Sequence, residues 1–408
     1  MRHPRSMVVA DQAISSAGNF STLLLGAALL DLDGLGHLTI ALGLVQTVVA
    51  TARGRVGESL VLLEATAATL RGSRWSSVGI GLLGILLVGG AALAVEVLRD
   101  SSTLVACACI VPVVLLDSVR YGYIASQNFR RLIVIDTVWV LSQGVIISVV
   151  VAADWVTPNA LLAAWGLGAL LAFLFVEMPR PSFPWAGVSS AQQFLSDTKA
   201  SGRRFAIENL MAIGLFQVYM VGLAAILGTY SVGLIQSVVL PFNVLNVFLL
   251  SLRPLLVNEA VRDRLWLSGP WMWMRRCRRT SLLLLGLVGF VVIALAVLPK
   301  GLLRMLLGDG WGESWLVVLL PTGMQRAALA ASEGPLIGLR VMGEYNSLFR
   351  VRALTAILYP VAGLAAATSW GLKASLWSTA LVQGGSLIAL WILLVAAVRA
   401  RRMVGPRT

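Results

Sequence analysis

The chain has 408 residues, of which 58% are hydrophobic and only 12% charged, and its mean hydropathy is +0.85. Those values exclude a water-soluble domain of this size and describe an integral membrane protein. The formal net charge of +13 is read as topology and contact with anionic lipid, not as a surface for nucleic acid.

Apolar runs long enough to cross a bilayer stand at about 7–31, 35–52, 76–98, 103–119, 132–153, 159–176, 205–228, 231–252, 281–298, 315–338, 353–369 and 372–398. Their length and lack of alternation predict twelve helices and no barrel strands. Arg2 and Arg5 precede the first run as in a secretory signal, but that run is about 24 residues long and carries Asp11, so it is expected to be retained as a span. With the N-terminus inside, Arg99, Lys300, Arg304 and Lys373 fall outside, Arg326 lies within a span, and the rest of the 32 Lys and Arg residues fall inside. That asymmetry predicts an even number of spans with both termini cytoplasmic.

The first span opens Asp11-Gln12-Ala13-Ile14-Ser15-Ser16 and continues through Asn19, a polar row that hydrocarbon does not tolerate. Each acid at mid-membrane costs about 2.5–3.5 kcal/mol on insertion scales, so protein or water must face this row. A Gly-rich turn follows at Asp31 to Gly36, then His37, an interfacial residue with a proton carrier as the alternative. The second span carries Gln46 and closes Arg53-Gly54-Arg55-Val56-Gly57-Glu58, where Arg55 and Glu58 are spaced to pair. Either this is a positive-inside anchor or the arginines bind an anion at an inner mouth, since guanidinium grips phosphate oxygens bidentately.

Asp117 and Arg120 at the close of the fourth span are again within pairing distance, and Asp136 and Gln143 share one face of the fifth. Cys107, Cys109 and Cys277 suggest no disulfide; the first two read as small packing residues in a span and the third lies in a predicted cytoplasmic loop.

At Pro179, Pro181 and Pro184 the composition shifts, and residues 192–199 read as a short amphipathic surface helix. The chain is therefore divided into an N-terminal lobe at 1–178, a cytoplasmic linker at 179–204 and a C-terminal lobe at 205–408, with parallel six-helix repeats. One offset carries Asp11-Gln12 onto Glu208-Asn209, Gly36 onto Gly233, Leu38 onto Ile235 and Gln46 onto Asn243, and with one insertion it carries Arg55 onto Arg253.

In the second half Gln236, Asn243 and Asn246 line one side of the eighth span, bent by Pro241. The loop after Arg253-Pro254 mixes Trp266, Trp271 and Trp273 with Arg275, Arg276, Arg278 and Arg279, a composition suited to anionic headgroups, and Pro270 could open a surface helix there. Residues 299–314 read as a short interfacial helix with a Gly-rich turn, and the tenth span holds Arg326 and Glu333, either a structural lock or part of a pathway. The last two spans are plainer and are expected at the periphery.

No metal-ligand cluster, nucleotide-binding Gly-rich loop or nucleophile-base pair is visible, so no enzyme and no cofactor are expected. The polar opening at Asp11 to Asn19-Phe20, the Gly34-Leu35-Gly36 turn, the Arg53 to Glu58 close and the Tyr230-Ser231-Val232-Gly233-Leu234 echo together resemble the polysaccharide-type lipid flippases of the multidrug/oligosaccharidyl-lipid/polysaccharide (MOP) exporter superfamily. The resemblance covers the whole chain in architecture, while its motifs are confined to the two repeated hairpins. It implies an all-α membrane fold, two six-helix lobes around a central cavity, and movement of a polyprenyl-diphosphate-linked oligosaccharide across the cytoplasmic membrane for cell-surface polysaccharide synthesis.

By position, Arg53, Arg55 and Arg253 would meet the diphosphate, Arg326 would touch it deeper in, and Gln46, Asn243, Asn246 and Asn19 would meet sugar hydroxyls. Asp11, Glu208 and Glu333 are the candidates for coupling to H+ or Na+, with a structural salt bridge as the alternative for the first two. Expected partners are the lipid-linked glycan, anionic membrane lipid and polysaccharide assembly proteins. The sequence departs from the group in lacking a proline in the turn after the first helix, and in offering an acid and an amide where some relatives carry arginine. The other readings are an ion-coupled exporter of amphipathic cations, as in the MATE transporters, and a membrane glycan polymerase or glycosyltransferase.

Overall fold

The computed structural model describes residues 4–177, 188–243, 270–307 and 315–404. Among these the secondary structure is helical, and eight helices are long and apolar enough to cross a membrane. The protein is thus an all-α, multi-pass membrane protein. The chain forms two compact units, Met1–Gly233 and Leu234–Thr408.

In the first unit α1 runs Pro4–Leu29 and α2 Leu32–Ala52, the latter continuing through a π-helical turn at Arg53–Gly57 to Val61. Next come α3 (Ala67–Ala94), α4 (Ser101–Ala125), α5 (Phe129–Ala152) and α6 (Pro158–Val176). Short polar residues start them. Asp31 accepts from the Gly34 amide at 2.8 Å ahead of α2, Thr66 and Thr69 close a capping box ahead of α3, Asn128 caps α5, and Thr157 with Pro158 opens α6. Such caps satisfy amides that have no partner within the helix.

Burial ranks these helices. The apolar window of α2 is 72% buried and that of α3 only 22%, so α2 is the inner helix of the unit and α3 faces outward. The core gathers Leu38, Val45 and Val49 from α2, Ile110 and Val114 from α4, Ile135 and Trp139 from α5, and Leu161 and Trp165 from α6. The two tryptophan rings lie tilted at 58° with centroids 6.3 Å apart, an arrangement aromatic quadrupoles favour. The outer faces are mostly apolar, with Leu82, Leu86 and Leu87 on α3 and Leu141, Val145 and Val149 on α5 exposed, and Ser148 among them turns its hydroxyl onto the Gly144 carbonyl.

The amphipathic helix expected at 192–199 is present as α7, Val188–Asp197. Residues 178–187, with the linker prolines, lie outside the described residues. α8 (Lys199–Asn209) continues through a second π-helical turn at Leu210–Gly214 to Leu227, and α9 covers residues 229–243. Gly36 and Gly233, the two positions matched by the repeat, meet each other. A Cβ on Gly233 would collide with the Leu32 carbonyl and reach the Gly36 amide at 3.0 Å, and one on Gly36 would collide with the Thr229 carbonyl, so backbone lies on backbone where α2 passes the start of α9.

The second unit holds α10 (Pro270–Val297), α11 (Lys300–Leu307), α12 (Trp315–Val341) and the stretch Tyr345–Val404. That last stretch is broken at Gly371, whose φ of 76° and ψ of −167° only glycine adopts freely, giving α13 at 345–370 and α14 at 372–404. The region around Cys277, expected as a cytoplasmic loop, is instead the first half of α10. Its arginines interrupt the apolar run in sequence, yet Trp273 and Cys277, one turn apart, both face inward while Arg275, Arg276, Arg278 and Arg279 face out. Pro270 does open a helix, as anticipated, but that helix runs on through the apolar span. Trp273, Cys277, Ile337, Leu348, Leu390 and Leu394 form the core of this end, and Ser281 Oγ donates to the Ala331 carbonyl at 2.6 Å between α10 and α12.

Candidate functional site

The densest charge in the first unit lies where α1, α2, α4 and α5 meet. Arg53 grips Asp117 with two groups, Nη2 to Oδ1 at 2.9 Å and Nε to Oδ2 at 3.3 Å. From one turn further along α4, Arg120 reaches back to Asp117 at 3.6 Å, across to Asp136 on α5 at 2.8 Å and to Asp11 on α1 at 3.5 Å. All three carboxylates are buried, Asp136 completely. Charges removed from water are held only when paired this closely, since breaking such a pair costs several kcal/mol, about 3–5 by comparison with other buried pairs.

Two features of the cluster bear on chemistry. Three carboxylates face two guanidinium groups, Asp11 and Asp136 are close enough to act on each other through their contacts with Arg120, and Asp11 Oδ1 receives no donor. Arg53, although paired, keeps 35% of its side chain accessible.

The polar row of α1 is answered from within the protein. Asn19 Oδ1 accepts from Gln46 Nε2 at 3.4 Å and from Trp165 Nε1 at 3.2 Å, while Gln143 Nε2 donates to the Gly18 carbonyl at 3.1 Å and to Thr22 Oγ1 at 2.7 Å. The structure thus brings Asn19 and Gln46 together, already bonded to one another. Gln217 on α8 similarly donates to the Ile40 carbonyl of α2 at 2.9 Å.

Arg53 and Arg55 are not brought together. The π-helical turn that holds both sends Arg55 to the end of α7, where it donates to the Leu195 carbonyl at 2.8 Å and to Thr198 Oγ1 at 2.9 Å. Those last carbonyls of a helix lack internal partners and carry its negative end, which a guanidinium satisfies. Arg55 and Glu58, spaced to pair, take separate partners: Glu58 Oε1 accepts from Asn209 Nδ2 at 3.0 Å. Glu208 accepts from Arg204 at 3.4 Å on its own helix. A second buried lock that the sequence did not reveal joins Arg74 on α3 and Tyr123 on α4 to Glu177, the Arg74 contact being 2.8 Å.

In the second unit Arg326 lies on α12 near Tyr359 of α13, whose hydroxyl meets Gln325 Nε2 at 2.5 Å, and Arg326 Nε is buried with no hydrogen-bond partner. Glu333 is buried two turns further along the same helix. Asn243 lies near the end of the described part of α9, and Asn246 and Arg253 lie outside the described residues. Among the described residues no cluster of three or more His, Cys, Asp or Glu side chains is arranged to hold a metal ion. Sequence reasoning paired Asp117 with Arg120 but missed that Asp11 and Asp136 join them. The available signal was an acid near the same end of the first, fourth and fifth spans.

No protein-family model matches the sequence, and no curated protein matches it. The structure is similar to that of the lipid II flippase MurJ in an inward closed conformation, with a TM-score of 0.71 and 11% identity over 96% of this chain and 88% of that one. It is also similar to a multidrug-resistance MATE family transporter of the MOP superfamily in its inward-facing conformation, with a TM-score of 0.65 and 12% identity over 96% of both chains. A eukaryotic MATE transporter matches with a TM-score of 0.57 and 13% identity over 97% of both chains.

Proposed function

Because the chain has the fold of the MOP superfamily of transporters, we propose that it is a flippase for a polyprenyl-diphosphate-linked oligosaccharide, working by alternating access in the cytoplasmic membrane. In this reading the chain crosses the bilayer twelve times as two six-helix lobes with cytoplasmic termini. The diphosphate is the part that cannot cross hydrocarbon unaided, so the protein must offer it cations while the prenyl tail stays in lipid. The observation that carries the reading is Arg53, anchored by Asp117 yet one-third accessible, a guanidinium held in place for a phosphate oxygen. Arg326, with its unpartnered buried Nε, is a further cation for the same headgroup, and Arg253 a third. Arg55 supports the site indirectly, through α7.

Coupling falls to Asp11. With one carboxylate more than the guanidinium groups can neutralise, the cluster has a place for one proton or one sodium ion shared between Asp11 and Asp136. Anionic lipid meets the exposed arginines of α10, and polysaccharide assembly proteins act on the product. The same surplus of acid favours a second reading, ion-coupled export of amphipathic cations.

Vesicles containing the protein decide between them. Flipping of a fluorescent undecaprenyl diphosphate oligosaccharide, lost by at least tenfold in Arg53→Ala and partly kept in Arg53→Lys, is the expected result. Efflux of ethidium with no movement of glycan lipid would instead select the exporter. Asp11→Asn is expected to remove the dependence of transport on a proton or sodium gradient, and unchanged gradient dependence in that variant refutes the coupling role.

A further inference from the structure

Near the start of α2 stands an imidazole that the proposed transport chemistry does not use. His37 Nδ1 lies 3.1 Å from Asp100 Oδ2, at the N-cap of α4, and its Nε2 lies 3.7 Å from Asp33 Oδ2, one turn back on α2. Asp33 in turn accepts a short hydrogen bond from Thr229 Oγ1 at the start of α9. One imidazole therefore sits between two carboxylates, each belonging to or bound to a different helix.

We propose that His37 is a pH-sensitive latch: protonated, it fastens the start of α2 to the N-cap of α4 and to the start of α9, and neutral, it releases them. The number of protons on the imidazole sets what it can hold. A neutral imidazole has one N–H, which the shorter contact to Asp100 takes, leaving a bare Nε2 lone pair facing the Asp33 carboxylate. Protonation turns that opposed pair of acceptors into a donor and an acceptor with opposite charges. Asp33 is then held in the position from which it accepts from Thr229; otherwise water competes for it, since 57% of its side chain is exposed.

The contact beneath the latch is close. Gly36 and Gly233 put backbone against backbone between α2 and α9, and the Asp33–Thr229 bond is a polar tie across it. The charged groups that face His37 among the described residues are Asp33 from its own helix and Asp100 from α4. Arg99, next in the chain, turns away to donate to the Leu93 carbonyl at 2.7 Å. Burial pushes the Asp100 carboxyl up, but the hydroxyl and amide of Ser102, the amide of Ser101 and the charge of His37 outweigh it and hold the group below the ordinary carboxylate range. Asp100 thus stays ionised, and imidazole is the side-chain type that takes up or gives away a charge within the physiological range. The sign follows: the latch is closed on the acid side and loosens as pH rises. In the proposed topology this end faces outward, so the latch reads the pH outside the cell; that side assignment, but not the latch, rests on the proposed function.

Spin labels at Leu29→Cys, beside the start of α2, and Tyr230→Cys on α9 report the separation by pulsed electron resonance. The full chain, with Cys107, Cys109 and Cys277 replaced by alanine, is held in lipid nanodiscs at pH 5 and pH 8 without substrate. The expected result is a longer-distance population that grows by about two- to fivefold at pH 8, the size appropriate to a partly exposed ion pair. In His37→Gln, which keeps a hydrogen-bonding group but cannot take up a proton, the distribution should be the same at both pH values. A distribution in the parent that ignores pH, or a pH shift that survives His37→Gln, overturns the proposal. Because no substrate is present, failure of glycan-lipid flipping would not alter this readout.

Discussion

Arg120 is the residue on which the interior of the first unit depends, because it is the contact shared by Asp11, Asp117 and Asp136. Arg120→Ala would leave three buried carboxylates to Arg53 alone and is expected to lower stability by about 3–5 kcal/mol, measured by thermal unfolding in detergent. Arg120→Lys should recover part of this, because an ammonium keeps the charge but cannot spread over three partners as a planar guanidinium does. Gln143→Ala, which removes bonds to Gly18 and Thr22 on α1, should cost less, about 0.6 to 1.7 kcal/mol, the range for polar contacts between membrane helices. The sequence made part of this legible. Asp117 and Arg120 are neighbours by helical spacing alone, and Asp136 and Gln143 had to face protein because lipid rejects them. That the fourth and fifth helices turn those residues toward the first is a matter of tertiary packing, which no local spacing encodes.

Among the elements, α7 is the one whose presence was readable and whose attachment was not. Its amphipathic pattern announces a surface helix, and Phe194 is its buried anchor, packed with Val56 and Leu60 of the α2 extension. What fixes its far end is Arg55, which comes from more than a hundred residues earlier and was expected at a substrate mouth. Arg55→Ala removes hydrogen bonds from a charged donor, about 1.5–3 kcal/mol together, so amide exchange across Val188–Asp197 should speed up by about tenfold or more. If that exchange is unchanged, α7 is held by Phe194 and its apolar neighbours alone. The first half of α10 teaches the complementary lesson. A run of arginines looked like a loop because hydropathy averages over a window, whereas a helix sorts residues by face and hides Trp273 and Cys277 behind the charges. Cys277 is accordingly expected to resist a membrane-impermeant maleimide until the protein is denatured.

On the scale of the whole molecule, the division between faces is the main product of composition. Arg275, Arg276, Arg278, Arg279 and Arg399 are exposed at one end of the second unit, where α10 begins and α14 closes. Each basic residue near an anionic leaflet contributes about 1 kcal/mol, so the protein should unfold at a higher temperature in vesicles containing phosphatidylglycerol than in phosphatidylcholine, and high salt should reduce the difference. A straight helix of 60 residues would extend about 90 Å, three times the hydrocarbon thickness, whereas the break at Gly371 leaves two pieces that are each about as long as one span needs. A side chain at Gly371 would strain that corner even though open space surrounds it, so the joint itself tolerates no other residue comfortably.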